Sequence, residues 1–285
     1  MRRLRIEHVT EYRFAQPVQL LPHRLMVRPR EDHNVRVVSS RLDITPLAQL
    51  HWQRDPLDNS IAVARFAGTC SSLRIVSEVD VEHYDETPLD FVLEAYAVQT
   101  PFRYAEPELV NLAPFLASSW PADRTAVAGW LATHGGRGTH ETLSILSNLN
   151  RAIANELRYQ VREEAGVQPP ALTLSLGSGS CRDFAALFCD ACRQLGLASR
   201  FVSGYLTSAP GANAGSTHAW AEVYLPGAGW KGFDPTAGLL TGSDHIAVAY
   251  AAHPETVPPV AGSYLGPSGP APTLHVSVRV VPSLP

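Results

Sequence analysis

Over its first 84 residues the chain alternates apolar and polar side chains with period two, a pattern that a strand buries on one face and a helix does not. Leu4, Ile6, Tyr12 and Phe14 share one strand face, and Leu73, Ile75, Val79 and Val81 share another. Antiparallel β structure is therefore expected here. Pro22, Pro29, Pro46 and Pro56 punctuate the runs, as expected of turns and strand ends, because proline has no N–H for a sheet ladder.

From about Thr87 to Pro121 the texture becomes a proline-bearing connector without clear periodicity, the natural place for a domain boundary. The expected division is a β-rich domain over residues 1–100 and a second domain over 101–285. In the second, Thr139 is placed to cap a helix whose Leu143, Leu146, Leu149, Ile153 and Leu157 recur at steps of three and four. Pro169-Pro170 and Gly177-Ser-Gly-Ser180 then interrupt regular structure. A second helix is expected from Cys181 to about Leu195, ended by Gly196. Short β runs follow at Ser199–Leu206, Thr217–Leu225 and Trp230–Phe233, then a Pro/Gly-rich loop from His253 to Pro272. Leu274, Val276, Val278 and Val280 alternate with polar residues, so a final strand should return to a sheet.

Composition excludes several classes. With 45% hydrophobic and 18% charged residues, 285 residues can bury one large core or two modest ones, which rules out disorder. No apolar run reaches the roughly 18 residues of a membrane span, and Met1-Arg-Arg-Leu-Arg-Ile lacks the apolar block of a signal peptide. A cytoplasmic protein with no membrane partner is expected. The net charge is −4, and the 23 basic residues are scattered rather than aligned to follow phosphates, so no nucleic acid is expected. In a reducing compartment Cys70, Cys181, Cys189 and Cys192 stay thiols, and each needs an explanation as core or as chemistry.

Cys181 is the one best placed for chemistry. Ser180 is a good N-cap and Asp183 resembles the acidic member of a capping box, which puts the thiol at the first helical position. Free backbone N–H groups and the positive end of the helix dipole favour a thiolate there. The small residues before it let a carbonyl approach and leave the Cys181 N–H free as an oxyanion donor. His218, on a short strand, can take the thiol proton and return it to a leaving amine. Asp234 ends the next strand because Pro235 cannot extend the ladder, and its carboxylate can hold one imidazole N–H. Each motif alone also reads as structure: a helix-start cysteine, a packed histidine, an Asp-Pro turn.

Together they carry a resemblance. Gly179-Ser-Cys-Arg-Asp-Phe-Ala-Ala-Leu, Leu195-Gly-Leu-Ala-Ser-Arg-Phe-Val-Ser-Gly-Tyr, Thr217-His-Ala-Trp-Ala-Glu-Val-Tyr-Leu-Pro and Gly229-Trp-Lys-Gly-Phe-Asp-Pro-Thr are similar to the core of bacterial transglutaminase-like proteins, over about Leu157 to Thr236. The first hundred residues resemble the β-rich N-terminal region that accompanies this core. The resemblance implies an α+β, papain-like fold with Cys181 as nucleophile, His218 as base and acid, and Asp234 as orienter. Ser180 departs from the small apolar residue many members carry before the cysteine, and it caps at least as well.

The implied activity is thioester acyl transfer from a carboxamide or peptide bond to an amine or to water. The alternatives are a cysteine peptidase or amidase that only hydrolyses, and an idle scaffold that binds peptides. The expected partners are a peptide or protein amide and an amine acceptor; no cofactor and no metal are implied. Cys189-Asp-Ala-Cys192 lies inside the Cys181 helix and reads as core thiols rather than a redox or zinc motif. His134-Gly-Gly-Arg-Gly resembles an esterase oxyanion loop but has no nucleophile elbow to serve, and reads as a turn. Tyr159 reads as a packed aromatic sooner than a second oxyanion donor.

Overall fold

A computed structural model describes residues 1–84, 90–136, 138–162, 164–207 and 215–283. The long first strand, Arg2–Leu20, is flanked antiparallel by Cys70–His83 on one side and Thr273–Pro282 on the other. Opposite pairs such as Leu4 with Val81 and Ile6 with Val79 bring the apolar sets foreseen from the alternation onto one face. The pairing shifts between Arg13 and Val18, a stretch that contains Pro17. A second sheet, of Ala48–Arg54, Ser60–Phe66, His23–Leu25 and Val260–Ala261, packs on the first across Leu25, Ala62, Leu73 and Ile75. The closing strand does return to a sheet, and the sheet is that of the first strand, with Val280 opposite Ile6.

The remainder is the α+β, papain-like part. Its antiparallel sheet runs Leu239–Leu240, Gly229–Asp234, Ser216–Leu225, Ser199–Leu206, His245–Ala251. The helix Cys181–Gln194 crosses this sheet and is buried from Asp183 to Arg193. Two of its buried polar side chains are tied to neighbouring segments: Asp190 Oδ1 accepts from the Ser118 hydroxyl at 2.6 Å, and Arg193 donates to the carbonyls of Ser199 and Ala252.

Three expectations need correction. The helix after residue 139 runs Thr142–Glu156, and its cap is Glu141, whose carboxylate accepts the Ser144 N–H; Thr139 precedes it. The connector, whose residues 85–89 lie outside the described set, contains a helix at Glu106–Leu116. Pro107 hides it from a periodicity reading although proline is well tolerated in a first turn. Helices at Arg124–Thr133 and Pro170–Leu176 were not foreseen either; Pro170, read as an interruption, opens the second.

The N-terminal sheets dock on the edge strand His245–Ala251 and on Tyr205. Asn59, fully buried, pairs with the backbone of Tyr250 in both directions, at 2.8 Å each. A buried chain runs from the Thr10 hydroxyl to His8 Nε2, and from His8 Nδ1 to the Tyr205 hydroxyl (2.9 Å), which donates to the Val27 carbonyl. That network fits a neutral imidazole, and burial pushes His8 down to about 4. Unfolded His8 gains a proton below its ordinary value of 6.5, whereas folded His8 does not until about 4, so stability falls as pH drops through that window. Urea unfolding at pH 7 and pH 5 should show His8 costing the wild type about 2 kcal/mol. His8→Gln should show a smaller acid loss; an equal loss would place the proton uptake elsewhere.

Candidate active site

Helix Pro170–Leu176 ends at Gly177, which adopts φ +59°, and Ser178–Gly179 then pairs in parallel with Arg158–Tyr159. This delivers Ser180 in an extended conformation as the N-cap, and Cys181 becomes the first helical residue, as foreseen. The capping box is part of a larger arrangement. Asp183, fully buried, accepts the Ser180 N–H and hydroxyl, each at 2.8 Å, and the Gln168 N–H at 2.8 Å. Arg162 Nη1 bonds both of its oxygens, at 2.9 and 3.1 Å. One carboxylate thus ties the Cys181 turn to the loop that precedes it, a role the capping-box reading did not reach.

On the neighbouring strand His218 is buried, with Nε2 2.8 Å from Asp234 Oδ2. Asp234 is 1% exposed, and its Oδ1 accepts the Thr236 N–H, so the Asp-Pro turn holds the carboxylate still. With Nε2 so engaged, Nδ1 is the ring nitrogen left for Cys181, and Cys181 and His218 line one cleft. The structure therefore brings together all three residues singled out in the sequence. Burial alone would lower the His218 imidazole, but its hydrogen bonds to Asp234 and Cys181 and their negative charge outweigh it and hold it up to about 10. Asp234, although burial works against its charge, stays well below the carboxylate range through the two histidines it serves. His218 is therefore held as an imidazolium at neutral pH by the carboxylate beside it.

The cleft measures about 360 Å³. One wall is Ala165–Val167 and the other is Pro254–Val260, part of the segment read as a loop from sequence. That wall is fastened to the N-terminal sheets: the Met26 N–H donates to the Pro259 carbonyl at 2.8 Å, and Val260 pairs with Leu25. Gly262 follows directly on the His23 ring, where a Cβ would lie 2.3 Å from it, so only glycine lets the segment seat. The β-rich region thus helps to build the cleft.

Sequence reasoning missed His245, whose Nε2 lies 3.1 Å from the same Asp234 Oδ2. It sits eleven residues after Asp234 on a different strand, and no motif marks it. His218, Asp234 and His245 offer three metal-ligating atoms within 4.8 Å of one another. Asp234 Oδ2 lies within hydrogen-bond reach of both Nε2 atoms, so a cation would have to replace the bonds that orient His218. Tyr159 is 49% exposed rather than packed, and its hydroxyl is raised first by burial and then by the charge of nearby Cys181. Cys189 and Cys192 are buried, and burial pushes Cys189 up to about 11 and Cys192 well above its ordinary value, as suits core thiols. His134 bonds Trp130 and Glu156 at the end of its helix; Arg137 beside it, and residues 208–214 before His218, lie outside the described residues. Among the described residues no helix is long and apolar enough to cross a membrane.

Residues 4–82 match the profile of the bacterial transglutaminase-like N-terminal region, and residues 131–235 match that of the transglutaminase-like superfamily. An uncharacterized protein of Mycobacterium tuberculosis is 29% identical over 98% of this chain and 93% of its own length. One from Mycobacterium leprae is 25% identical over 93% and 94%. The crystal structure of "a Putative Cysteine Protease from Cytophaga hutchinsonii" superposes with a TM-score of 0.76 over 99% of this chain and 91% of that one, at 17% identity, which establishes a shared fold.

Proposed function

The chain belongs to the bacterial transglutaminase-like family, and from that premise we propose that it is a cysteine enzyme of amide chemistry, with Cys181, His218 and Asp234 as its triad. Cys181 Sγ attacks a carboxamide or peptide carbonyl, and the Cys181 N–H stabilises the resulting oxyanion. His218 gives its proton to the departing amine as the C–N bond breaks, leaving a thioester. Water or a second amine then attacks, His218 takes its proton, and the thiolate returns as the acid or the new amide leaves. The substrate is a peptide or protein amide, met in the cytoplasm without a cofactor.

The observation that carries this reading is the imidazole held between a buried carboxylate at 2.8 Å and a cysteine at a helix start. Unlike the buried Arg162–Asp183 pair, which serves the fold, the His218–Asp234 pair opens onto a cleft that it shares with Cys181, an arrangement that an idle scaffold does not need. Iodoacetamide applied to the folded protein at pH 6–7, with peptide mapping, is the test. Cys181 should label rapidly, and Cys189 and Cys192 only after denaturation. A Cys181 that stays unlabelled, or reacts no faster than an ordinary thiol, overturns the nucleophile. An amine-transfer assay with a glutamine peptide then separates transfer from hydrolysis.

A further inference from the structure

Asp234 Oδ2 has two imidazole neighbours, and the triad uses only one. His218 Nε2 stands 2.8 Å away and His245 Nε2 3.1 Å away, with the two rings 6.0 Å apart. The Gly242 N–H points to His245 Nδ1 at 3.4 Å, which leaves the hydrogen of a neutral His245 on Nε2, facing the carboxylate. The His245 ring is held edge-on against Trp220 at 5.2 Å, and its carbonyl accepts from His83 Nε2 of the first sheet pair at 3.1 Å. His245 also borders a second cavity of about 390 Å³, which it shares with Arg200, Glu222 and Lys231 and not with Cys181. It is therefore not among the residues that line the Cys181 cleft.

We infer that His245 is a positioning residue of the active site, whose Nε2–H fixes the Asp234 carboxylate against His218. The inference rests on the triad proposed above. With the Thr236 N–H on Oδ1 and two imidazole N–H groups on Oδ2, the carboxylate cannot rotate without losing a bond inside a buried site. Sharing Oδ2 between two donors also limits how far the carboxylate stabilises the imidazolium, whose Nδ1 proton His218 must release to a leaving amine. The edge strand that carries His245 is the one on which the β-rich region docks, so that region bears on the triad through it.

Three variants test this through the rate of Cys181 alkylation by iodoacetamide across pH 5–10. His245→Ala should lower the rate at pH 7 roughly tenfold, the scale seen when outer partners of a functional group are removed. The alkaline limb, where His218 loses its proton, should move upward, because Oδ2 is left to His218 alone. His245→Gln carries an amide N–H near the place of Nε2 and should restore both rate and limb. His245→Asn is too short and should behave as alanine. If alanine does not fold, glutamine against asparagine makes the same comparison. Wild-type rate and profile in His245→Ala, or glutamine as slow as asparagine, overturns the positioning role while leaving the triad intact. If wild-type Cys181 is itself unreactive, the triad fails, and this inference with it.

Discussion

Cys181→Ala should abolish turnover of any amide the wild type processes, by roughly a million-fold, the loss that follows deletion of a nucleophile from an assembled triad. Stability at pH 7 should move by less than about 1 kcal/mol, because the thiol is half-buried at a helix start and alanine leaves the cap in place. A second signature accompanies it. Folded His218 keeps its proton up to about 10, whereas unfolded His218 loses it near 6.5, so the wild type is stabilised fully below 6.5 and loses that share as pH rises toward 10. Removing Cys181 takes away one of the two partners whose interactions raise His218, so the alkaline loss should become smaller. Urea unfolding at pH 6 and pH 9 reads it. A variant that unfolds readily at pH 7 would make Cys181 a structural residue, and one that keeps measurable turnover would make another group the nucleophile.

Asp183→Ala should be the most destabilising single change near the site. It strips Arg162, whose side chain is 14% exposed, of its buried partner, and it leaves the N–H groups of Ser180 and Gln168 without acceptors. Removing one partner of a buried ion pair costs about 3–5 kcal/mol. Asp183→Asn keeps the volume and part of the bonding, and should cost less. Both should slow Cys181 alkylation, since the Ser180 turn that presents the sulfur is held by this carboxylate. A loss below about 1 kcal/mol for alanine, measured by denaturant unfolding, would show that Arg162 finds water or another acceptor and that the hub is dispensable. Asp183 reads from sequence as a cap; the structure makes it the tie between two loops.

Much of the site was legible because its elements are local. A helix start announces itself by its cap, a strand end by the proline that follows, and a strand face by alternation; Cys181, Asp234 and the faces of Leu4, Ile6, Val79 and Val81 were read that way. The helix at Glu106–Leu116 stayed hidden because its prolines resemble a loop, although one lies in a tolerated first turn.

What the sequence determined by itself was therefore the kind of element where alternation, spacing and caps are clear, along with the places of Cys181, His218 and Asp234 on a helix start, a strand and a strand end, since those signals act over a few neighbours. Only the tertiary structure decided that His245 would share Asp234 Oδ2, that Arg162 would find Asp183, and that Pro254–Val260 would wall the cleft while fastened to Leu25 and Met26. Those contacts join strands and loops far apart in the chain. Hydrogen bonds and ion pairs of that kind form only where packing has already excluded water, and no local pattern records which distant partner packing supplies.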